Sequence, residues 1–202
     1  MNVSTPSEPA ARGRPRSAAS RIAILEAAFA LLVERGYGAM SIEAVAARAG
    51  VGKATVYRWW PTRSDLAVDA FFAATEAELA MPDTGSAEQD FRLQITALAD
   101  VLRGSRGIAL AAMLGAVLSD PGLAASLNAR WIEPRRRWGF ERLSKAAANG
   151  ECWPETNIPA ALGILYGPLY SPLLFGRGIP SEDQVAAHLD LTCRAIFRSS
   201  TG

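Results

Sequence analysis

The chain has 202 residues, half of them hydrophobic and a fifth charged, with a formal net charge of +1. This is enough apolar content to bury a core, and it excludes a wholly disordered chain. One histidine, His188, and two cysteines, Cys152 and Cys193, are too few and too scattered to ligate a zinc cluster or to build a nucleophile–base pair, so an enzyme is not expected and no cofactor is implied.

The charge is unevenly placed. Residues 1–66 hold nine Lys/Arg and five Asp/Glu, whereas residues 67–202 hold twelve and fifteen, giving +4 in front and −3 behind. Such a division points to a front segment that meets phosphate and a rear segment that does not. Residues 1–17 lack hydrophobic periodicity and contain Arg12-Gly13-Arg14-Pro15-Arg16, which reads as a flexible basic arm. The run resembles an AT-hook core, whose arginines enter the minor groove; a solubilising tail is the alternative. No apolar stretch of a signal peptide is present in it, so a reducing, cytoplasmic setting is expected.

From Ala18 onward the pattern is helical, without valine/isoleucine alternation, and the fold class is expected to be all-α. Leu25, Ala28, Phe29 and Leu32 form one apolar stripe on a first helix that Gly36 ends. Ser41 is placed to cap a short second helix with Ile42, Val45, Ala46 and Ala49 inward. Gly50-Val51-Gly52 is the turn, and a third helix runs from Lys53 to about Trp60, where Pro61 stops it. Val56 and Trp59 or Trp60 face inward; Lys53, Ala54, Thr55, Tyr57 and Arg58 remain for an outer face. Thr62 and Asp65 resemble a capping box that opens a fourth helix to about Ala80, with Arg63 beside its N-terminus.

Two helices joined by a tight glycine turn form a helix-turn-helix, in which the second lies in the major groove of duplex DNA. Lys53 and Arg58 suit phosphates, Thr55 a base edge, and Tyr57 the backbone. Ser41 and Thr62 sit at helix N-termini, where free N–H groups receive phosphate. The run from Ser41 to Leu66, with Ala49-Gly50-Val51, Thr55-Val56-Tyr57 and a terminal aromatic, resembles the signature of the TetR family of bacterial transcriptional repressors. The resemblance covers about residues 20–68. It implies a three-helix DNA-binding head over residues 18–66, and a helical ligand-binding and dimerisation domain over residues 67–202. A homodimer on double-stranded DNA, released by an unidentified small-molecule effector, is what such a protein would be.

The rear half offers candidates for both roles. Phe91, Ile95, Leu98 and Leu102 mark an amphipathic helix, and Gly107–Ser119 is nearly all apolar and expected to be central; Asp120-Pro121-Gly122 breaks it, and a long helix to about Ala148 carries Pro134 as a kink. Trp131, Arg135, Trp138 and Arg142 share one face of it. With Met113, Val117, Tyr166 and Tyr170, the first three are candidate ligand-pocket residues. Arg135 also sits in an Arg135-Arg136-Arg137 run that reads as a solvated face paired with Glu133 and Glu141; turned inward, it would favour an anion. Residues 156–176 carry no charge, but Pro159, Pro168 and Pro172 argue against a membrane span. Gly163, Gly167 and Ser171 make a flat strip there, and Val185, Leu189 and Ile196 a stripe on the last helix. Together these are the expected dimer interface, or else they close the chain's own core.

Overall fold

The computed structural model describes residues 14–75 and 82–198. Among the described residues the chain is helical throughout, and its only extended pairing is one antiparallel bridge between Cys152 and Phe197. The fold is all-α.

The head consists of α1 (Arg14–Ala39), α2 (Ile42–Arg48) and α3 (Lys53–Trp59). Helix α1 begins at Arg14, four residues earlier than the apolar stripe suggested, so the segment assigned to the arm is helical from there. At Gly36 the backbone takes φ 76°, a conformation that glycine adopts without a Cβ penalty, and a last turn carries Tyr37 into the core. Ser41 Oγ accepts from the Ala44 amide at 3.1 Å and starts α2. Gly50 has φ 66° and turns the chain into α3. Ile24, Leu32, Val45, Val56 and Trp60 fill the space between the three helices.

Helix α4 (Arg63–Thr75) is shared by both halves. Thr62 Oγ1 accepts from the Asp65 amide at 3.1 Å, as the capping pattern suggested. One side of α4 packs on α1 and the other on α6 (Ser105–Leu114) and α7 (Pro121–Leu127). The expected extension of α4 to Ala80 runs beyond the described residues. α5 (Ala87–Leu102) supports α6 and α10 (Glu182–Ile196), while α8 (Glu133–Ala148) packs on α9 (Ile158–Leu174). Gly139 allows that close crossing, since a Cβ there would stand 2.7 Å from Leu162 Cδ2. A buried ion pair, Arg142 Nε to Asp90 Oδ2 at 2.6 Å, ties α8 to α5.

One expectation is corrected. The apolar run after Gly107 is not central to its end: α6 stops at Leu114, and the turn that follows leaves Leu118 on the surface. The irregularity expected at Pro134 lies in the turn just before it. Residues Asn128–Ile132 form a π-turn, in which the Glu133 amide reaches back to the Asn128 carbonyl. Pro134 lacks an N–H and crowds the carbonyl four residues before it, and the wider turn relieves that conflict. No helix among the described residues is long and apolar enough to cross a membrane.

Candidate DNA-binding interface and regulatory cavity

The outer face of α3 is built by burying its opposite side. Val56 is fully buried and Trp60 is 2% exposed, which leaves Lys53, Ala54, Tyr57 and Arg58 exposed and Thr55 half-buried. The two tryptophans divide: Trp60 enters the core, whereas Trp59 stays at the surface with the Arg58 guanidinium 5.8 Å from its ring centroid. Trp60 is the C-cap of α3, and its extended backbone, φ −131°, takes it off the helical path that Trp59 still follows. Lys53 Nζ meets Glu43 Oε1 at 3.0 Å, but both are well exposed, and such a pair is a weak tether that a phosphate can replace. Ser41 and Thr62 use their hydroxyls as caps. Arg12 lies outside the described residues, and Arg14 begins α1.

Arg63 is placed differently from the reading as a free phosphate ligand. Its guanidinium lies 4.2 Å from the Tyr37 ring centroid and its Nη2 is 3.4 Å from Asp120 Oδ2. Asp120, read in the sequence only as part of a helix break, is the N-cap of α7, accepting from the Leu123 amide at 2.9 Å. It also accepts from the Tyr37 hydroxyl at 2.6 Å and from Ser64 Oγ at 3.3 Å. The Tyr37 hydrogen bond above all, then the Leu123 amide, Arg63 and Ser64, hold its pKa down at about 2 against the effect of burial. A second carboxylate, Asp69 on α4, takes the Trp60 indole N–H at 2.7 Å on Oδ2, and Arg130 of the π-turn on Oδ1. Neither carboxylate was singled out from sequence, because the partners are far apart along the chain.

Behind that joint lies a cavity of about 350 Å³ between the π-turn, α8 and α9, lined by Ile132, Arg135, Phe140, Leu162, Tyr166 and Tyr170 among others. Of the candidate pocket residues, Arg135, Tyr166 and Tyr170 line it. Trp131 is fully buried beneath, its ring centroid 3.5 Å from the Arg135 guanidinium, and its Nε1 donates to the Tyr170 hydroxyl at 3.2 Å. Met113, Val117 and Trp138 are elsewhere. Met113 is core on α6, Val117 is in the turn after it, and Trp138 packs on Phe91 at 5.0 Å. Arg142 is taken by Asp90. Trp138 follows Arg135 by three residues in the same regular helix, but its ring is turned to Phe91 of α5 and it does not line the cavity. Phe140 and Leu162 were legible only as apolar positions.

Gly163 and Ser171 are exposed and Gly167 half-buried on the outer side of α9. Val185, Leu189 and Ile196 are buried against the chain's own core, so they are not available to a second copy. The apolar positions that α9 and α10 do expose are Ile164, Leu174 and Leu191. His188 lies at the seam between the two helices, 3.2 Å from both the Leu165 carbonyl and Thr192 Oγ1.

Two family profiles match the chain. Residues 24–70 match "Bacterial regulatory proteins, tetR family", and residues 81–192 match "Tetracyclin repressor-like, C-terminal domain". The chain is 36% identical to the HTH-type transcriptional regulator YdeS of Bacillus subtilis over 163 residues, covering 81% of this chain and 82% of that one. It is 30% identical to the HTH-type transcriptional regulator AqdR of Rhodococcus erythropolis over 65% of this chain and 63% of that one. A solved TetR-family regulator, SCO0332, superposes with a TM-score of 0.68 at 31% identity, covering 89% of this chain and 99% of that one.

Proposed function

The chain belongs to the TetR family of DNA-binding transcriptional regulators, and from that premise we propose that it is a homodimeric repressor which a small molecule in the rear cavity releases from a palindromic operator. The observation that carries the reading is the split of α3. Val56 is buried in the core and Trp60 meets Arg21 of α1 and Asp69 of α4, and Lys53, Ala54, Thr55, Tyr57 and Arg58 are left to meet DNA. Arg58 and Lys53 neutralise phosphates, Tyr57 donates to the backbone, and Thr55 and Ala54 approach base edges. Ser41 and Thr62 bring helix N-termini to the phosphates, with Arg63 holding α4 at its joint. Arg12 and Arg14 extend the contact toward the minor groove. The setting is the cytoplasm, where the operator is, and no catalytic step is assigned to the chain.

The cavity is positioned to influence the heads. Trp131 lies beneath the lining residue Arg135 and packs edge-on against Phe71 of α4, with ring centroids 4.7 Å apart. Arg130, the residue before it, holds Asp69, and Asp69 holds Trp60 at the end of α3. A ligand that moves Trp131 therefore shifts the stance of α4, and in a dimer a change of stance alters the distance between the two recognition helices. Selection of fragments from the host's own DNA by the purified protein tests the reading. An inverted repeat among the bound fragments is expected; fragments without any shared repeat would refute a dimeric repressor.

A further inference from the structure

Arg135 is unusual among the basic residues of the rear half. It is 8% exposed, and among the described residues no carboxylate pairs with it. Its Nη1 donates to the Trp131 carbonyl at 2.7 Å, its plane stacks on the Trp131 ring, and its Nε is buried without any partner. A guanidinium stays charged at neutral pH, and burying it without a counter-ion is costly. The neighbouring arginines show what a merely structural role looks like: Arg142 has Asp90, and Arg136 has Glu133 at 3.6 Å.

The surroundings extend the argument. Tyr166 and Tyr170 face the same cavity, and burial raises both phenol pKa values, so both are neutral donors. Tyr166 donates to Gln94 Oε1 at 2.9 Å, and Gln94 Nε2 behind it is also buried without a partner. Tyr170 accepts from Trp131, which leaves its own proton for an acceptor in the cavity. The remaining walls, Ile132, Phe140 and Leu162, are apolar. The cavity thus combines one uncompensated cation, one hydroxyl with a proton to give, that of Tyr170, and a hydrocarbon lining, and its volume is in the range of small-molecule pockets.

We propose that this cavity takes an organic carboxylate, an anionic head on an aromatic or other apolar body, with the head bound by Arg135 and Tyr170. The proposal rests on the reading of the cavity as the effector site and names the chemical class of the effector. A carboxylate accepts from the free edge of the guanidinium and from the tyrosine hydroxyl, while the body lies against Ile132, Phe140 and Leu162.

The test uses the full chain with 2-naphthoate and its neutral isostere 2-naphthamide, followed by thermal shift and by the fluorescence of the indole under Arg135. The carboxylate is expected to bind about 10- to 100-fold tighter than the amide, the range for a hydrogen bond to a charged group. Arg135→Met should erase that preference and Arg135→Lys keep part of it, with helical content confirming that each variant folds. Should Arg135→Met not fold, Tyr170→Phe is read instead and should cut the preference severalfold. Equal affinity for the two probes, or no binding of the carboxylate up to roughly 1 mM, overturns the proposal. Operator release is measured separately. A carboxylate that binds through Arg135 without releasing DNA leaves the anion site standing and removes the effector reading. Release that ignores Arg135 does the reverse.

Discussion

The indole N–H of Trp60, the residue that closes the recognition helix, donates to Asp69 Oδ2 of α4 at 2.7 Å. The other oxygen of the same carboxylate holds Arg130, next in the chain to Trp131, which lies beneath the cavity residue Arg135. One side chain therefore touches both the DNA-reading element and the regulatory domain. The Arg130 guanidinium also lies 5.0 Å from the Phe72 ring centroid, so charge and aromatic packing act on the same stretch of α4.

Replacing Asp69 separates two roles. Asp69→Ala leaves the Trp60 N–H without an acceptor at a position only 2% exposed, at a cost of about 1–3 kcal/mol. Thermal unfolding is expected to show a midpoint lower by several degrees. Asp69→Asn keeps an acceptor for the indole and loses the charge opposite Arg130 and Arg21. Its midpoint should stay close to wild type while operator release by effector weakens. A midpoint for Asp69→Ala equal to wild type would show that the hydrogen bond carries no stability.

The outer face of α3 makes an electrostatic prediction. Lys53→Gln gives up only an exposed pair with Glu43, so folding stability should change by less than about 1 kcal/mol. Affinity should drop to a similar degree on specific and nonspecific DNA, and the slope of log affinity against log salt should shrink by about 0.9 for each head, about 1.8 for a dimer on its operator. Tyr57→Phe should weaken binding with the salt slope unchanged, since a hydroxyl releases no counter-ion. Titrations of labelled operator at several salt concentrations measure both. An unchanged slope for Lys53→Gln would remove that residue from the phosphate contacts.

What could be read in advance follows from the range over which each signal acts. Ser41, Gly50 and the Thr62/Asp65 pair are local devices, complete within four residues, and the head was legible through them. Asp69 and Asp120 act across 61 and 83 residues, on Arg130 and Tyr37 respectively. No spacing rule marks such partners, so one carboxylate passed unnoticed and the other was taken for a helix break. The stripe of Val185, Leu189 and Ile196 shows a third limit. An amphipathic pattern announces an apolar face and is silent on whether the chain itself or a second copy covers it. Arg135 was ambiguous for a related reason: it belongs both to the face that begins at Trp131 and to a run of three arginines, and neither pattern says which of the three is buried.

Asp120 links acidity to the joint between head and regulatory domain. Its pKa is lowered from 3.8 to about 2, with the Tyr37 hydrogen bond the largest cause. A carboxylate with a depressed folded pKa contributes stability that is complete above its unfolded pKa and is lost as pH falls through the folded value. The loss is therefore expected between about pH 4 and pH 2. Asp120→Asn should unfold at a lower temperature than wild type at pH 7, and the gap should close as pH approaches 2. A gap that persists at pH 2 would mean that the carboxylate's charge is not what the joint uses.

The dimer surface is tested most directly at Leu191. This leucine is 67% exposed on α10, opposite the buried Val185, Leu189 and Ile196, and Ile164 and Leu174 are exposed on neighbouring α9. A carboxylate at that position meets no core atom of its own chain, so Leu191→Glu should leave the helical content and the cavity intact. In a symmetric dimer of this face the same charge would enter from both copies and repel across the axis. Light scattering is expected to show a monomer for the variant and a dimer for wild type. Binding to a palindromic operator should then fall by about 10²–10⁴, the advantage that two linked heads have over one, whereas binding to a single half-site should hardly change. Leu191→Ala, which removes apolar area without adding charge, should give an intermediate dimer affinity. If Leu191→Glu remains a dimer with full operator affinity, copies of the chain meet through another surface.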